Sequence, residues 1–426
     1  VPVPRFTLSR FASFLVVPLF LIAAPLLTAQ QETVLYSFNS STTGAGPYGN
    51  LVFDGAGNLF GANTWGGGSG CYGTGCGTIF ELVPQPGGGW QEITIHNFND
   101  STTDGENPYG TLILDSAGNL YGTARYGGAN SCGMVFQLVP RLSGVWKENI
   151  LHSFSATIDG CAPYAGVIMD ASGNLYGTTS GGGAYSWGTV FELSPRAGHS
   201  WTPKVLHAFG KGNDGWAPMG GLVMDASGNL YGTTEFGGNR EVNDEGTVFE
   251  LFPQATGPWK EKILANFGSV GSLPQQPQSS LAFDQAGVNL YGTSYSGGKG
   301  ARGTVFELAP SAGGRWGVRV LHSFQTIQNL ADGSQPAAGV TVDAAGNLYG
   351  TTTGGGGSNQ SQGTVFKLMP GSGGEWTESI LYVFTLNSAN GATPYAGVVL
   401  DSAGNLYGTA EYGGAYLGGG VFEITP

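Results

Sequence analysis

Residues 115–123 read DSAGNLYGT. The phrase returns at Asp170 and Asp225 (DASGNLYGT), at Asp343 (DAAGNLYGT) and at Asp401 (DSAGNLYGT). Looser copies start at Asp54 (DGAGNLFGA) and Asp284 (DQAGVNLYGT). Successive starts lie 55 to 61 residues apart. Self-similarity at such a period marks a solenoid, an array or a propeller.

The phrase belongs to a longer unit with four strand-like runs. In order these are GLVMD (221–225), NLYGTT (229–234), GTVFEL (246–251) and a fourth run such as KVLHAF (204–209). None carries a helical i, i+3, i+4 stripe, and Gly, Pro, Asn or Asp clusters bound each run. In DASGN the Asp carboxylate can accept backbone N–H groups in an Asx-turn, and Gly228 supplies the positive φ of a short hairpin. The phrase therefore reads as the hairpin between the inner two strands of a unit. The rival reading is calcium coordination, but a calcium loop needs several oxygen ligands together and each copy offers one carboxylate.

Seven four-stranded antiparallel units predict an all-β, seven-bladed β-propeller. The ends decide between a ring and a stack. ETVLYSF (32–38) is a fourth strand with no first three before it, and GGGVFEITP (418–426) holds a third strand with no fourth after it. The N-terminal strand is expected to complete the last blade and remove free edges.

Bulk composition agrees. Among 426 residues, 40% are hydrophobic and 12% aromatic, which favours a folded core over disorder. The 76 glycines are more than twice the usual share, without the three-residue period of collagen. The formal charge of −13, with no basic stripe, argues against a nucleic-acid partner.

The chain starts with Val, and residues 1–29 read as a secretory signal peptide: Arg5 and Arg10 precede an apolar run over 11–27, with a cleavage site expected near Ala29. The propeller then spans 30–426. The alternative is a retained membrane anchor, which Pro18, Pro25 and the shortness of the run disfavour. The mature charge becomes −15. An exported chain with an even cysteine count favours disulfides; the sequence-local pairing is Cys71–Cys76 with Cys132–Cys161, and free thiols are the alternative. No zinc-ligand spacing, other metal motif or cofactor motif is present.

The combination D-x-x-G-N-L-Y-G-T, G-G, G-T-V-F-E-L-x-P and L-H-S-F resembles the GloVer tandem repeat of bacterial exported proteins, over residues 32–426. The resemblance implies an extracytoplasmic protein, secreted or held in the envelope, usually with a C-terminal sorting segment. It implies no established activity. The sequence stops at Pro426, directly after the last repeat, which leaves the mode of attachment open.

In a propeller the first-to-second and third-to-fourth connections share one face. The second-to-third and blade-to-blade connections share the other. Here the first pair hardly varies, while the second varies freely, as in GGNREVNDEG (237–246) against GGKGARG (297–303). Binding residues concentrate on variable loops over a rigid scaffold, so the variable face is the candidate. Its ligand-binding candidates after the second strands are Trp65, Arg125, Tyr126, Glu235, Phe236, Tyr295, Glu411 and Tyr412. Before the first strands come Asp104, Glu106, Asp159, Asp214, Trp216 and Asp332, all expected to be exposed. Aromatic faces among carboxylates suit a sugar. Packing between blades is the competing role for the aromatics, and turn formation for the Asp-Gly pairs.

Support for catalysis is thin. His96, His152, His207 and His322 take one repeated place in the fourth strand, where Tyr36, Ala265 and Tyr382 stand in other units. Packing sets such a place, because an active site needs convergence at one spot. His199 lies alone in a turn on the opposite face. Three functions remain: a binding scaffold for carbohydrate or a cell-envelope protein, a carbohydrate hydrolase or lyase using acids at the channel mouth, and a structural surface component.

Overall fold

The computed structural model describes residues 1–2, 31–68, 70–99, 101, 103–142, 144–198, 200–238, 245–268, 272–325, 332–357, 361–385 and 389–425. The apolar run of the expected signal peptide and His199 lie outside the described residues.

Hydrogen bonding in the phrase explains its repetition. Asp225 Oδ1 accepts the main-chain N–H groups of Ser227 and Asn229 at 2.8 and 2.9 Å. Its Oδ2 accepts Asn229 Nδ2 and the Tyr231 hydroxyl at 2.8 and 3.0 Å. The same four bonds recur around Asp115, Asp170, Asp343 and Asp401. Both oxygens are thereby engaged within the loop, so the calcium reading loses its ligands. Leu230 is fully buried. A Cβ on Gly232 would stand 2.5 Å from Cζ of Phe249, so only glycine lets that ring cross the strand. Thr233 Oγ1 donates to the Ser279 carbonyl of the next blade. Asp225, Asn229, Leu230, Tyr231, Gly232 and Thr233 thus all build scaffold.

Strands follow as expected. Blade 3 pairs Ile168–Met169, Leu175–Thr179, Thr189–Pro195 and Trp201–Ala208 antiparallel in chain order. Blades 1 to 6 span 52–97, 113–153, 168–208, 223–266, 282–323 and 341–385. Blade 7 contains Val399–Leu400, Leu406–Ala410 and Gly420–Thr425, with Gln31–Ser37 as its outer strand. Thr33 pairs with Glu423 and Val34 with Phe422, so the two ends of the chain seal the ring. Among the described residues a single helical turn, Gly70–Gly73, interrupts the β pattern.

The core lies between blades. Seven apolar clusters each join one blade to the next, and the cluster of Phe38, Leu59, Phe80, Tyr407 and Val421 joins the last to the first. In every seam the Phe that ends a fourth strand meets the third-strand Phe of the following blade. Phe38–Phe80 is the closest pair at 4.7 Å between ring centres, and Phe98–Phe136 and Phe324–Phe366 are the widest at 5.3 Å. Burying one such ring contributes about 1.5–3 kcal/mol.

A second device fixes the variable face. The residue before the proline that recurs in each blade has φ near +55°: Asn107, Ala162, Ala217, Gln276, Gln335 and Thr393, with Gly46 at +66° in blade 1. Side chains rarely adopt this region, at a cost of about 1–2 kcal/mol each. Hydrogen bonds on both sides hold it. Ala217 N donates to the Trp187 carbonyl of blade 3, and its own carbonyl accepts Glu235 N, both at 3.0 Å. The proline that follows presses on the preceding blade. A Cβ on Gly188 would lie 2.7 Å from Pro218 Cδ, which explains the Gly that opens GTVF.

Candidate functional site: the channel mouth

The left-handed residue and its proline deliver the next residue to the axis at one end of the ring. Around the seven blades these are Tyr48, Tyr109, Tyr164, Met219, Gln278, Ala337 and Tyr395, and all seven line an axial cavity of roughly 340 Å³. The bond from the residue after each second strand to the left-handed carbonyl brings a second set beside them. It includes Arg125, Glu235, Tyr295 and Glu411.

The four tyrosines come from adjacent blades and touch in series. Tyr395 stacks on Tyr48 at 4.5 Å, Tyr48 meets Tyr109 edge-on at 4.8 Å, and Tyr109 leans on Tyr164 at 5.0 Å. Arg125 caps the far end of this crescent. Its guanidinium carbon lies 4.1 Å from the Tyr164 ring centre and 4.6 Å from that of Tyr126, a cation–π arrangement. Arg125 Nε is buried with no hydrogen-bond partner among the described residues.

Acids flank the crescent. Glu411 is buried, and that burial pushes its carboxyl up to about 7 against a weaker opposing bond with Tyr412. Its Oε2 has no hydrogen-bond partner among the described residues. Burial also raises Glu235, although Gln278 Nε2 donates to its Oε1 at 2.7 Å. Burial, Tyr395 and Glu411 push the Tyr48 hydroxyl well above its ordinary value. Burial raises Tyr109 and Tyr164 too, with Arg125 pulling the other way. The hydroxyls thus remain O–H donors near neutrality. Among the described residues the mouth offers ring faces, hydroxyl donors, the Arg125 cation and the acids Glu235 and Glu411.

The other residues singled out in the sequence fall into separate places. Arg125, Tyr126, Glu235, Tyr295, Glu411 and Tyr412 belong to or border the mouth. Trp216 and Phe236 stack at 4.5 Å and meet Trp187 at 4.8 Å from Trp216, forming a second aromatic patch beside a smaller cavity. Trp65 lies over Gly46, where a Cβ would strike its ring. Glu106 pairs through its backbone with Tyr126. Cys71 is bonded to Cys76 and Cys132 to Cys161.

Asp159, Asp214 and Asp332, with Asp104, correct the expectation of exposure. All four are buried. Asp159 Oδ2 lies 2.7 Å from His152 Nε2, and its Oδ1 accepts Ser155 N. Asp214 and Asp332 bind His207 and His322 and also close their own loops through Gly210 N and Gln325 N. The loop from the fourth strand folds inward because its carboxylate has a histidine to reach. The repeated histidines pack edge-on against the adjacent Phe, as for His207 and Phe209 at 4.7 Å, and also carry this polar latch.

Sequence reasoning passed over Tyr48, Tyr109, Tyr164 and Tyr395. The signal was present: Pro-Tyr follows the left-handed residue in four units, and Met, Gln or Ala replaces the Tyr in three. Trp187 was also missed, because nothing local ties it to Trp216.

Fold and mouth together define a seven-bladed β-propeller closed by its own ends, with an axial site of uneven composition. The sequence matches the Gloeobacter/Verrucomicrobia repeat at residues 26–157, 138–314 and 241–426, and the chain belongs to this family. Among curated proteins no sequence matches. Solved structures resemble it at low identity. An ancestral GH74 enzyme is 11% identical with a TM-score of 0.54; the alignment covers 90% of this chain and 48% of that one. A luciferin-regenerating enzyme is 14% identical with a TM-score of 0.42, over 93% of this chain and 95% of that one. A Bacteroides uniformis protein provisionally named a 6-phosphogluconolactonase is 12% identical with a TM-score of 0.48, over 78% and 84%. At such identities the likeness concerns the fold alone.

Proposed function

We propose that the chain is an exported binding propeller whose channel mouth takes a carbohydrate, with the cell envelope as its setting. One observation carries this reading: tyrosines from blades 7, 1, 2 and 3 form a continuous crescent at the mouth, while blades 4, 5 and 6 present Met219, Gln278 and Ala337. Packing asks the same of every blade, so residues that serve packing repeat. The mouth residues differ from blade to blade, which marks them as released from that demand. Ring faces accept the CH surfaces of a sugar, and Tyr hydroxyls, Arg125, Glu235 and Glu411 match its hydroxyls. The cavity falls within the usual range for small-ligand sites, about 300–1,000 Å³. The basic and apolar start of the sequence supports export.

A glycan array with the purified propeller, followed by calorimetric titration of the best oligosaccharide, tests the reading. Tyr109→Ala and Arg125→Ala are expected to weaken binding by about tenfold each, near 1.4 kcal/mol. Absence of any glycan binding, or binding indifferent to both changes, would overturn it.

A second reading has one observation in its favour. Glu411 is raised to about 7, the range of a general acid. It predicts polysaccharide or lactone turnover that Glu411→Gln abolishes with the fold intact, and a flat activity screen removes it.

A further inference from the structure

We propose that three of the seven blade seams are divalent-metal sites of the zinc class, each built from one histidine, one aspartate and one glutamate. The sets are His96, Asp104 and Glu148 between blades 1 and 2; His207, Asp214 and Glu261 between blades 3 and 4; and His322, Asp332 and Glu378 between blades 5 and 6. In each set one ligand atom per residue lies within 4.8 Å of the others.

The distances fit the ligand spacing of a coordination shell as well as they fit hydrogen bonds. From His Nε2 the carboxylate oxygens lie at 3.4 and 3.8 Å in the first set, 3.0 and 3.7 Å in the second, and 3.3 and 3.5 Å in the third. A tetrahedral ion with bonds of about 2.0–2.1 Å spaces its ligands by about 3.3 Å. The seam between blades 2 and 3 acts as an internal control. There Pro203 takes the place of the glutamate, and His152 closes on Asp159 to 2.7 Å, an ordinary charge-assisted hydrogen bond.

Four of the carboxylate oxygens in these sets lack a donor among the described residues. Glu148 Oε1, Glu261 Oε1, Glu378 Oε1 and Asp214 Oδ1 are buried without a hydrogen-bond partner among the described residues, and the Asp214 side chain is only 4% exposed. In each seam a glutamate has been brought beside a buried aspartate, and a cation between the two would offset their repulsion. The ligands are also held in place. Loop N–H groups fix Asp104, Asp214 and Asp332, and Phe98, Phe209 and Phe324 brace the imidazoles. One imidazole nitrogen and two carboxylate oxygens suit Zn²⁺ better than the all-oxygen shells of Ca²⁺ or Mg²⁺. The glutamates keep 15–16% exposure, so water can complete the shell.

The test is Zn²⁺ uptake by the chelator-treated full chain, measured by equilibrium dialysis with elemental analysis. Co²⁺ absorption on the same protein reports coordination without any substitution. Stoichiometry approaching three ions per chain is expected. Glu148→Gln, Glu261→Gln and Glu378→Gln should each remove one ion, while His152→Ala should remove none. Zn²⁺ should raise the melting temperature of the wild type and not that of the triple Gln variant. A folded wild type that takes up neither ion, or takes up as much as the triple variant, overturns the proposal.

Discussion

The main-chain N–H of Gly46 donates to the carbonyl of Gly418 at 2.9 Å. This bond ties blade 1 to blade 7, and it is the same bond that ties Ala217 to Trp187 between neighbours in the chain. The closing seam is therefore built like the other six. It also carries the Phe38–Phe80 contact and the hydrogen bond from Gly397 N to Asn50 Oδ1 at 2.7 Å.

A covalent lock should fit that seam. Thr33 and Glu423 face each other across the strand pair, and such Cα atoms lie about 4.5–5.5 Å apart, within disulfide reach. Thr33→Cys with Glu423→Cys should oxidise to an intrachain bond, seen as a mobility shift on non-reducing gels, and raise stability by about 2–4 kcal/mol. Two thiols that stay free in the folded protein would contradict the sealed ring.

The phrase should respond as scaffold. Asp225→Ala leaves Asn229 Nδ2, the Tyr231 hydroxyl and two turn N–H groups without their acceptor. A loss of about 1–3 kcal/mol is expected in urea unfolding, with ligand affinity unchanged.

Two glycines with positive φ separate conformation from contact. Gly173→Ala meets nothing nearer than 3.9 Å and should cost about 1–2 kcal/mol for its backbone alone. Gly188→Ala meets the Thr179 carbonyl at 2.4 Å and Pro218 Cδ at 2.7 Å, so its cost should exceed that of Gly173→Ala by about 1–3 kcal/mol. Equal losses by thermal unfolding would contradict the seam contact.

Much of this was legible in the sequence because the same constraint is written seven times. Asp, Gly, Asn, Leu and the Gly-Thr pair recur because each blade needs the same turn, the same Phe crossing and the same bond to its neighbour. The N-terminal fourth strand and C-terminal third strand announced their own pairing. The site was less legible for the opposite reason. Tyr48 and Tyr395 are neighbours only once the ring closes, and nothing in the chain order brings residues 347 apart together. The loop aspartates misled because Asp-Gly reads locally as a solvated turn, whereas their histidine partners lie seven to ten residues back on a strand.

Glu411 gives a pH signature. Burial raises it from 4.5 to about 7 in the folded state, facing Tyr48, Tyr395 and Tyr412. The native chain then binds this proton more tightly than the unfolded chain. Its contribution to stability is complete below about 4.5 and is lost as pH rises through about 7. The phrase carboxylates act in reverse at acid pH. Burial pulls Asp170 upward, but bonds from Asn174, Tyr176 and Ser172 outweigh it and hold the group below its ordinary value. With chelator present, the wild-type melting temperature should fall more between about pH 5 and about pH 8 than that of Glu411→Gln. Identical slopes would contradict the assignment.

The division of labour between scaffold and mouth is tested most directly by one titration. The tightest-binding oligosaccharide is titrated calorimetrically into the wild type, Tyr48→Ala and Asp225→Ala. Affinity should drop by about tenfold in Tyr48→Ala and stay level in the folded fraction of Asp225→Ala. The reverse order, or an equal loss in both, would contradict a wheel whose repeated phrase holds the shape and whose uneven rim takes the ligand.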